Sequence, residues 1–161
     1  MGGILYTESE NLLVSVETQD GSVGWGEASS APTMTGETIA SMVAAIKYLA
    51  PHLIGREAPS FSKNMNLMDQ LLYGNNSAKA ALEIACYDVV GKVQKRSMSE
   101  LLGGVNRDKI SVLWMLGAGR LEADKEEAKK KVDEGFQSFK IKVGGNPVDE
   151  DIVRVKEIRK I

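Results

Sequence analysis

The sequence predicts two parts of different fold class, an α+β part up to residue 106 and the beginning of an α/β array over residues 107–161. Three patterns lead to this prediction: an early alternating segment with turn residues, a series of helical periodicities, and then a strand, helix, strand, helix order. The chain has 161 residues, of which 43% are hydrophobic, so it can bury a core. We therefore expect an N-terminal domain at 1–106 and an incomplete second domain at 107–161.

The first predicted element is a β-hairpin. Leu12, Val14 and Val16 recur at every second position, with Ser15 between the two valines, as in a strand with one buried face. Residues 19–22, Gln-Asp-Gly-Ser, are typical of a turn and are followed by VGWGEA. This order predicts a strand, a tight turn and a second strand.

Three helices are predicted after the hairpin. Thr35 is the expected N-cap of the first helix, which should end just before Pro51. The second covers residues 60–72 and the third opens at Ser77. The third helix should bury Ala81, Leu82, Ala85, Tyr87 and Val89. Leu-Leu-Gly-Gly at 101–104 then indicates a helix end with glycine at the C-cap.

The pattern changes after residue 106. Residues 109–116 predict a strand, 122–135 a charged helix, 138–144 a second strand and 149–161 a second helix. This alternation is typical of parallel βα units, in which each helix packs back onto the sheet. The second part should therefore begin a parallel sheet.

Two lysines, Lys140 and Lys142, lie one residue apart in the second of these strands. Side chains two residues apart share a face, so both lysines project to one side while Phe139, Ile141 and Val143 project to the other. A parallel sheet is buried on both faces, where a charged group needs a functional reason or a counter-charge. Two neighbouring ammonium groups repel each other, which favours the neutral, basic form of one of them. An edge strand with both lysines in water fits the spacing equally well.

The composition argues against several other classes of function. Twenty basic and 22 acidic side chains give a net charge of -2, and no basic segment is interleaved with aromatic residues, so no nucleic-acid partner is expected. Cys86 is the single cysteine and has no disulfide partner, which fits a reducing cytoplasm. No segment has the length of a membrane span, so no membrane partner is expected. Small ligands and other proteins are therefore the expected partners.

Several segments occur in the order of a known family. VETQDGSVGWGEA, TGETI, LIG, NNSAKAALEIACYDVVGK, LLGG and GFQSFKIKVG together resemble the enolase superfamily, mandelate racemase/muconate-lactonizing enzyme type, in its muconate-lactonizing subgroup. The resemblance implies an α+β capping domain followed by the first βα units of a TIM-type (β/α) barrel. GNNSAKAALEIACYD and the loop SSAPTMTGET look most similar to dipeptide epimerases. Cycloisomerases, N-acylamino-acid racemases and succinylbenzoate synthases share much of the same framework.

The resemblance also implies a reaction and a set of residues. By motif, Lys142 is the acid/base that abstracts the proton alpha to a carboxylate, and Lys140 is its auxiliary, in enediolate chemistry that uses Mg²⁺. The implied substrate is a small carboxylate, such as a dipeptide or an N-acyl amino acid. Thr33, Met34 and Thr35 are candidate substrate contacts, and an ordinary connecting loop is the other interpretation of these three residues.

The sequence departs from the family at both ends. Only GGILYTESE precedes the hairpin, so an earlier strand and much of a specificity loop are expected to be missing, and the chain stops at Ile161. The resemblance implies metal ligands on the third to fifth barrel strands and an opposing lysine on the sixth, so no metal ligand is assigned here. We expect a fragment that is inactive alone and that is covered by self-association or by a complementary chain. The alternative is a non-catalytic capping-domain remnant that acts as a binding or assembly module.

Overall fold

The computed structural model describes residues 7–117 and 119–161. These residues form two compact units, one reaching to Asn106 and the other beginning at Arg107. Each unit has a buried apolar cluster of its own. No helix in the described part of the chain is both long and apolar enough to cross a membrane.

The first unit, in its described residues, contains an antiparallel hairpin followed by four helices. The hairpin consists of β1 (Asn11–Glu17) and β2 (Val23–Ser29). The helices are α1 (Ile39–Leu53), α2 (Phe61–Leu71), α3 (Asn76–Gln94) and the short α4 (Met98–Leu101). The predicted order of a hairpin and then helices is confirmed.

The hairpin turn forms at the predicted residues. The Asp20 carboxylate accepts hydrogen bonds from the Thr18 hydroxyl at 2.6 Å and from the Ser22 N–H at 3.1 Å. These hydrogen bonds lower the pKa of Asp20, because they favour its charged form. Gly21 has a φ of 82°, a left-handed conformation that glycine adopts without strain.

The inner face of the hairpin lies directly on α3. A Cβ added at Gly26 would be 1.9 Å from the Ala81 carbonyl oxygen, and one at Gly24 would be 2.1 Å from the Ala85 carbonyl oxygen. Both alanines are fully buried, with 0% exposure. Glycine on the strand and alanine on the helix therefore let the two backbones approach more closely than any larger pair would allow.

A polar contact also joins the hairpin to α3. The Trp25 N–H donates to the Asp88 carboxylate at 2.8 Å, and the Lys92 ammonium group donates to the same carboxylate at 2.6 Å. The hydrogen bond from Lys92, followed by that from the Trp25 N–H, lowers the pKa of Asp88. This contact fixes β2 along α3 beside the glycine positions.

The core of the first unit lies between the hairpin and the helices. Of the buried positions predicted in α3, four are buried as expected: Ala81, Leu82, Ala85 and Val89. Tyr87 is half-buried instead, and its ring stacks on Phe61 of α2 with 3.7 Å between the ring centroids. The main apolar cluster consists of Val14, Ala28, Met42, Ala45, Leu49, Met68, Ala78, Ala81 and Leu82.

The predicted limits of α1 are wrong at both ends. The N-cap is Thr38, whose hydroxyl accepts from the Ser41 N–H at 3.2 Å, while the Ser41 hydroxyl accepts from the Thr38 N–H at 2.9 Å. Thr35 lies in the loop before α1, and its hydroxyl accepts from the Glu37 N–H instead. Pro51 lies inside the last turn, where a proline removes only one hydrogen bond, so the helix continues to Leu53.

The helix end predicted at residues 101–104 is present, but it belongs to α4. Gly103 and Gly104 have φ values of 108° and 111°, and the Gly104 N–H donates to the Ser99 carbonyl at 2.8 Å. The longer α3 ends earlier, with Lys95 in the left-handed conformation. The sequence did not indicate the end of α3, because its C-cap residue is a lysine and not a glycine.

The second unit alternates strands and helices. Its elements are β3 (Trp114–Leu116), α5 (Leu121–Asp133), β4 (Phe139–Ile141) and α6 (Val148–Ile158). The two strands pair in parallel, with Trp114 opposite Phe139 and Leu116 opposite Ile141. The predicted start of a βα array is confirmed. Both strands are shorter than the predicted segments 109–116 and 138–144, because only three residues of each share a ladder.

Candidate active site

Strand β4 brings Lys140 and Lys142 to one side of the two-stranded sheet. Phe139 and Ile141 pack onto the buried cluster of this unit, so the alternation of the strand turns the lysines to the opposite face. Both lysines are exposed in the described chain. Lys142 follows the last residue of β4, and its N–H reaches the Leu116 carbonyl at 3.4 Å. The two candidate residues therefore lie together at the carboxyl end of a parallel strand.

Val143 does not continue the apolar face that was predicted for it. Its side chain is 60% exposed. The reason is that the chain leaves the strand after Lys142 and turns at Gly144, which has a φ of 90°. The strand end thus opens into a loop directly behind the second lysine.

Arg154 of α6 holds the backbone at this strand end. Its Nη2 donates to the Lys142 carbonyl at 2.6 Å. The arginine side chain is 3% exposed and forms ion pairs with Asp124 of α5 at 2.8 Å and with Asp151 at 2.5 Å. Asp151 and Arg154 lie three apart on a charged helix, a spacing typical of a solvated face, and Asp124 lies on a different helix, so the sequence did not indicate this network.

Two further hydrogen bonds fix the loop after β4. The Asp151 carboxylate accepts from the Gly144 N–H at 2.6 Å, and the Asn146 side-chain amide donates to the Gly119 carbonyl at 2.6 Å. The second bond connects the loops that follow β3 and β4. Next to these loops lies an open groove of about 470 Å³, bordered by Arg120, Asn146, Asp149 and Glu150 among others. Lys140 and Lys142 are not among the residues that border this groove.

The three candidate substrate contacts lie in the loop between β2 and α1. Thr33, Met34 and Thr35 are all exposed, and Met34 is 77% exposed. The loop is closed by hydrogen bonds from the Ala31 N–H to the Glu37 carbonyl at 3.1 Å and from the Thr35 N–H to the Ala31 carbonyl at 2.8 Å. These three side chains belong to the first unit and the lysines to the second, so the candidates form two groups.

Glu37 ties this loop to the N-terminus of α3. Its carboxylate accepts from the Ser77 N–H at 3.1 Å, from the Ser77 hydroxyl at 2.7 Å and from the Ala78 N–H at 3.4 Å. Asn75, the residue at the N-cap position, makes no side-chain capping bond. Glu37 therefore caps α3 from a distant part of the chain, and sequence reasoning missed it because the partners are 40 residues apart.

We expect Glu37→Gln to lower the free energy of unfolding by about 1–2 kcal/mol, because it replaces charge-assisted hydrogen bonds at a helix N-terminus with neutral ones. Urea unfolding followed by circular dichroism measures this change. Glu27→Gln, at an exposed position of β2, is the matched control and should stay within about 0.5 kcal/mol of wild type. An equal effect of the two substitutions would show that the Glu37 contacts contribute nothing.

The residues in hand do not fit a magnesium site. Within 7–117 and 119–161, no group of three or more histidine, cysteine, aspartate or glutamate side chains is placed to hold a metal ion. Asp151 is already bonded to Arg154 and to Gly144. Asp149 and Glu150 are exposed in the first turn of α6, where the helix dipole accounts for acidic residues. No chemical step through a metal can be derived from these side chains.

Comparison with known proteins identifies the family. Residues 6–103 match the family model described as mandelate racemase / muconate lactonizing enzyme, N-terminal domain. The N-succinyl-L-Arg/Lys racemase of Bacillus cereus is 36% identical over 155 residues, which are 96% of this chain and 42% of that protein. Muconate cycloisomerase 1 of Acinetobacter baylyi is 36% identical over 154 residues, 92% of this chain and 42% of that protein.

Solved structures agree with these matches. The crystal structure of the Bacillus cereus racemase superimposes with a TM-score of 0.86, covering 93% of this chain and 41% of that one. A second structure is that of a dipeptide epimerase from Enterococcus faecalis, complexed with Mg and the dipeptide L-Leu-L-Tyr, which is 35% identical and has a TM-score of 0.84. The match covers 93% of this chain and 42% of that one. The chain thus spans about 42% of the length of its curated relatives. It belongs to the mandelate racemase / muconate lactonizing enzyme family of the enolase superfamily.

Proposed function

We propose that this chain supplies the lysine acid/base of an isomerase that removes the proton alpha to a carboxylate. The observation that carries the proposal is the position of Lys140 and Lys142, together at the carboxyl end of a parallel strand, where βα barrels hold their catalytic groups. The amine of Lys142 takes the alpha proton and the electron pair moves into the carboxylate. Return of a proton to the same face restores the substrate, so inversion of the centre requires an acid on the opposite face. Lys140 is proposed as the auxiliary residue beside Lys142.

The proposed substrate is a dipeptide or an N-acyl amino acid. Relatives named as an N-succinyl-L-Arg/Lys racemase and as a hydrophobic dipeptide epimerase support this class. Thr33, Met34 and Thr35 are proposed to contact it, on a loop that Glu37 holds in place. Thr33 offers a hydroxyl group and Met34 an adaptable apolar side chain, while the Thr35 hydroxyl already bonds to the Glu37 N–H and the Ala31 carbonyl. We propose the cytoplasm as the site of action.

Completion of the site is proposed to depend on further βα units. Several apolar side chains of the second unit are exposed, among them Ile110 at 79%, Val112 at 72% and Val143 at 60%. Such side chains favour a cover of matching strands and helices, from a complementary chain or through self-association. We also propose that the ligands of the Mg²⁺ ion belong to those units, so that the isolated chain is inactive.

A chimera tests the proposal. Residues 1–161 of this chain replace the matching 42% of the Bacillus cereus racemase, and the chimera is incubated with Mg²⁺ in deuterated water. N-succinyl-L-lysine and L-Ala-L-Glu are offered, and mass spectrometry follows deuterium at the alpha carbon. We expect incorporation into at least one of them by the chimera and none by the isolated chain. Retention of the alpha proton in both substrates by a folded chimera would contradict the proposal.

A further inference from the structure

We infer that Arg154 is a positioning residue, which fixes the backbone from Lys142 to Gly144 and thereby sets the direction in which the proposed base leaves its strand. The inference rests on the function proposed for Lys142. Its structural part depends only on contacts within residues 107–161, so the two can be tested separately.

The hydrogen-bond ladder between β3 and β4 ends at Lys142. The Lys142 N–H still bonds to the Leu116 carbonyl of β3, but at 3.4 Å the bond is long. The Lys142 carbonyl accepts instead from the Arg154 guanidinium at the shorter distance of 2.6 Å. The arginine therefore provides the hydrogen bond that a neighbouring strand provides elsewhere in a sheet.

Three partners surround the guanidinium group of Arg154. Nη1 donates to Asp151 at 2.5 Å, Nε pairs with Asp124 at 2.8 Å, and Nη2 reaches the Lys142 carbonyl. Asp124 is 0% exposed and Asp151 is 6% exposed, so both anchors are buried. A planar group held by two hydrogen bonds and one ion pair has one orientation, which a lysine ammonium group cannot reproduce. The direction of the bond to Lys142 is thus imposed by α5 and α6.

Burial of these three charged groups has an energetic cost. Two buried carboxylates and one buried guanidinium lie in a unit whose buried apolar residues, as far as the structure describes them, are Leu116, Ala128 and Ile158. Buried ionic groups contribute little net stability compared with apolar residues of similar volume. The network of Arg154, Asp124 and Asp151 is better explained by a role in orienting the backbone, because two of its side chains bond to the same loop after β4. Arg154 holds the Lys142 carbonyl, and Asp151 holds the Gly144 N–H at 2.6 Å.

Nuclear magnetic resonance on the full, isotope-labelled chain tests the structural part. Arg154→Lys keeps the charge and removes the planar fork. We expect it to shift the carbonyl carbon resonance of Lys142 and to speed hydrogen exchange of the Gly144 amide at least tenfold. Arg159→Lys, an exposed arginine just past the end of the same helix, is the matched control and should change neither signal.

Asp151→Asn is the second variant, because it removes the charge that faces Arg154 and changes the volume little. We expect the same two signals to move. A change no larger than that in Arg159→Lys would overturn the inference. A loss of resonance dispersion throughout residues 107–161 in both variants would overturn it too, since Arg154 would then be a general stabiliser.

The chimera links this result to the reaction. Arg154→Lys in the chimera should lower kcat for deuterium incorporation at least tenfold and leave KM within about twofold, because a misdirected base affects the chemical step more than binding. If the chimera is active and Arg154→Lys leaves its kcat unchanged, the positioning role of Arg154 is overturned and the proposed function is not affected. A chimera without any exchange contradicts the proposed function and leaves the resonance experiment as the test of positioning.

Discussion

Replacing Gly26 with alanine is expected to lower the free energy of unfolding by about 3 kcal/mol or more, at the upper end of what overpacking produces. The added Cβ would lie 1.9 Å from the Ala81 carbonyl oxygen and 2.9 Å from the Ala85 nitrogen. Both are backbone atoms of α3, so no side chain can rotate away to make room. Either the strand or the helix has to move, and the buried contacts between them are then lost.

Urea unfolding followed by circular dichroism measures this effect. With a slope of about 1.5 kcal/mol per molar urea, the midpoint should fall by about 2 M. Glu27→Ala is the control, because the neighbouring side chain points to solvent from the same strand. If Gly26→Ala unfolds at the same urea concentration as the control, the close approach of β2 to α3 is not what the protein adopts in solution.

Replacing Lys142 with alanine in the chimera is expected to slow deuterium incorporation by about 10²–10⁴-fold, the usual contribution of a positioned acid/base. The change removes the amine that is proposed to receive the alpha proton. Lys140→Ala should cause a smaller loss, because Lys140 is proposed as the auxiliary residue and does not itself take the alpha proton.

Two comparisons keep this prediction specific. Lys109→Ala removes an exposed lysine of the same unit and should leave the rate unchanged. Circular dichroism of each variant checks that the fold is kept. A larger loss from Lys140→Ala than from Lys142→Ala would reverse the roles that we assign to the two residues.

Local patterns in the sequence predicted much of the fold. The alternation of Leu12, Val14 and Val16, with turn residues behind it, gave the hairpin, and helical spacing gave the buried positions of α3. Both signals come from residues close together in the chain, where side-chain periodicity and turn preferences act directly. The strand and helix order after residue 106 was predicted for the same reason.

Contacts between distant residues were not predictable in this way. Gly24 and Gly26 look like ordinary residues of a hairpin until Ala81 and Ala85 are seen against them. Glu37 was equally invisible as the cap of a helix that begins 39 residues later. In such cases the sequence gives the residue type but not its partner, because the pairing is set by the packing of elements.

The candidate site shows the same division. The spacing of Lys140 and Lys142 predicted one shared face, and the structure places them so at the end of β4. The side chains that hold the backbone at this strand end were not predicted. Arg154, Asp124 and Asp151 lie on two helices whose charged residues are typical of solvated faces. The length of the strands was also missed, because it depends on how many residues find partners across the sheet.

The measurement that tests the central claim most directly is the rate at which substrate labelled with deuterium at the alpha carbon loses that label in ordinary water. Wild-type and Lys142→Ala chimeras are compared side by side at equal concentration, with Lys109→Ala as the reference. We predict a loss rate at least about 100-fold lower in the Lys142 variant and unchanged in the reference. Rates that agree within threefold in all three proteins would show that Lys142 is not the base.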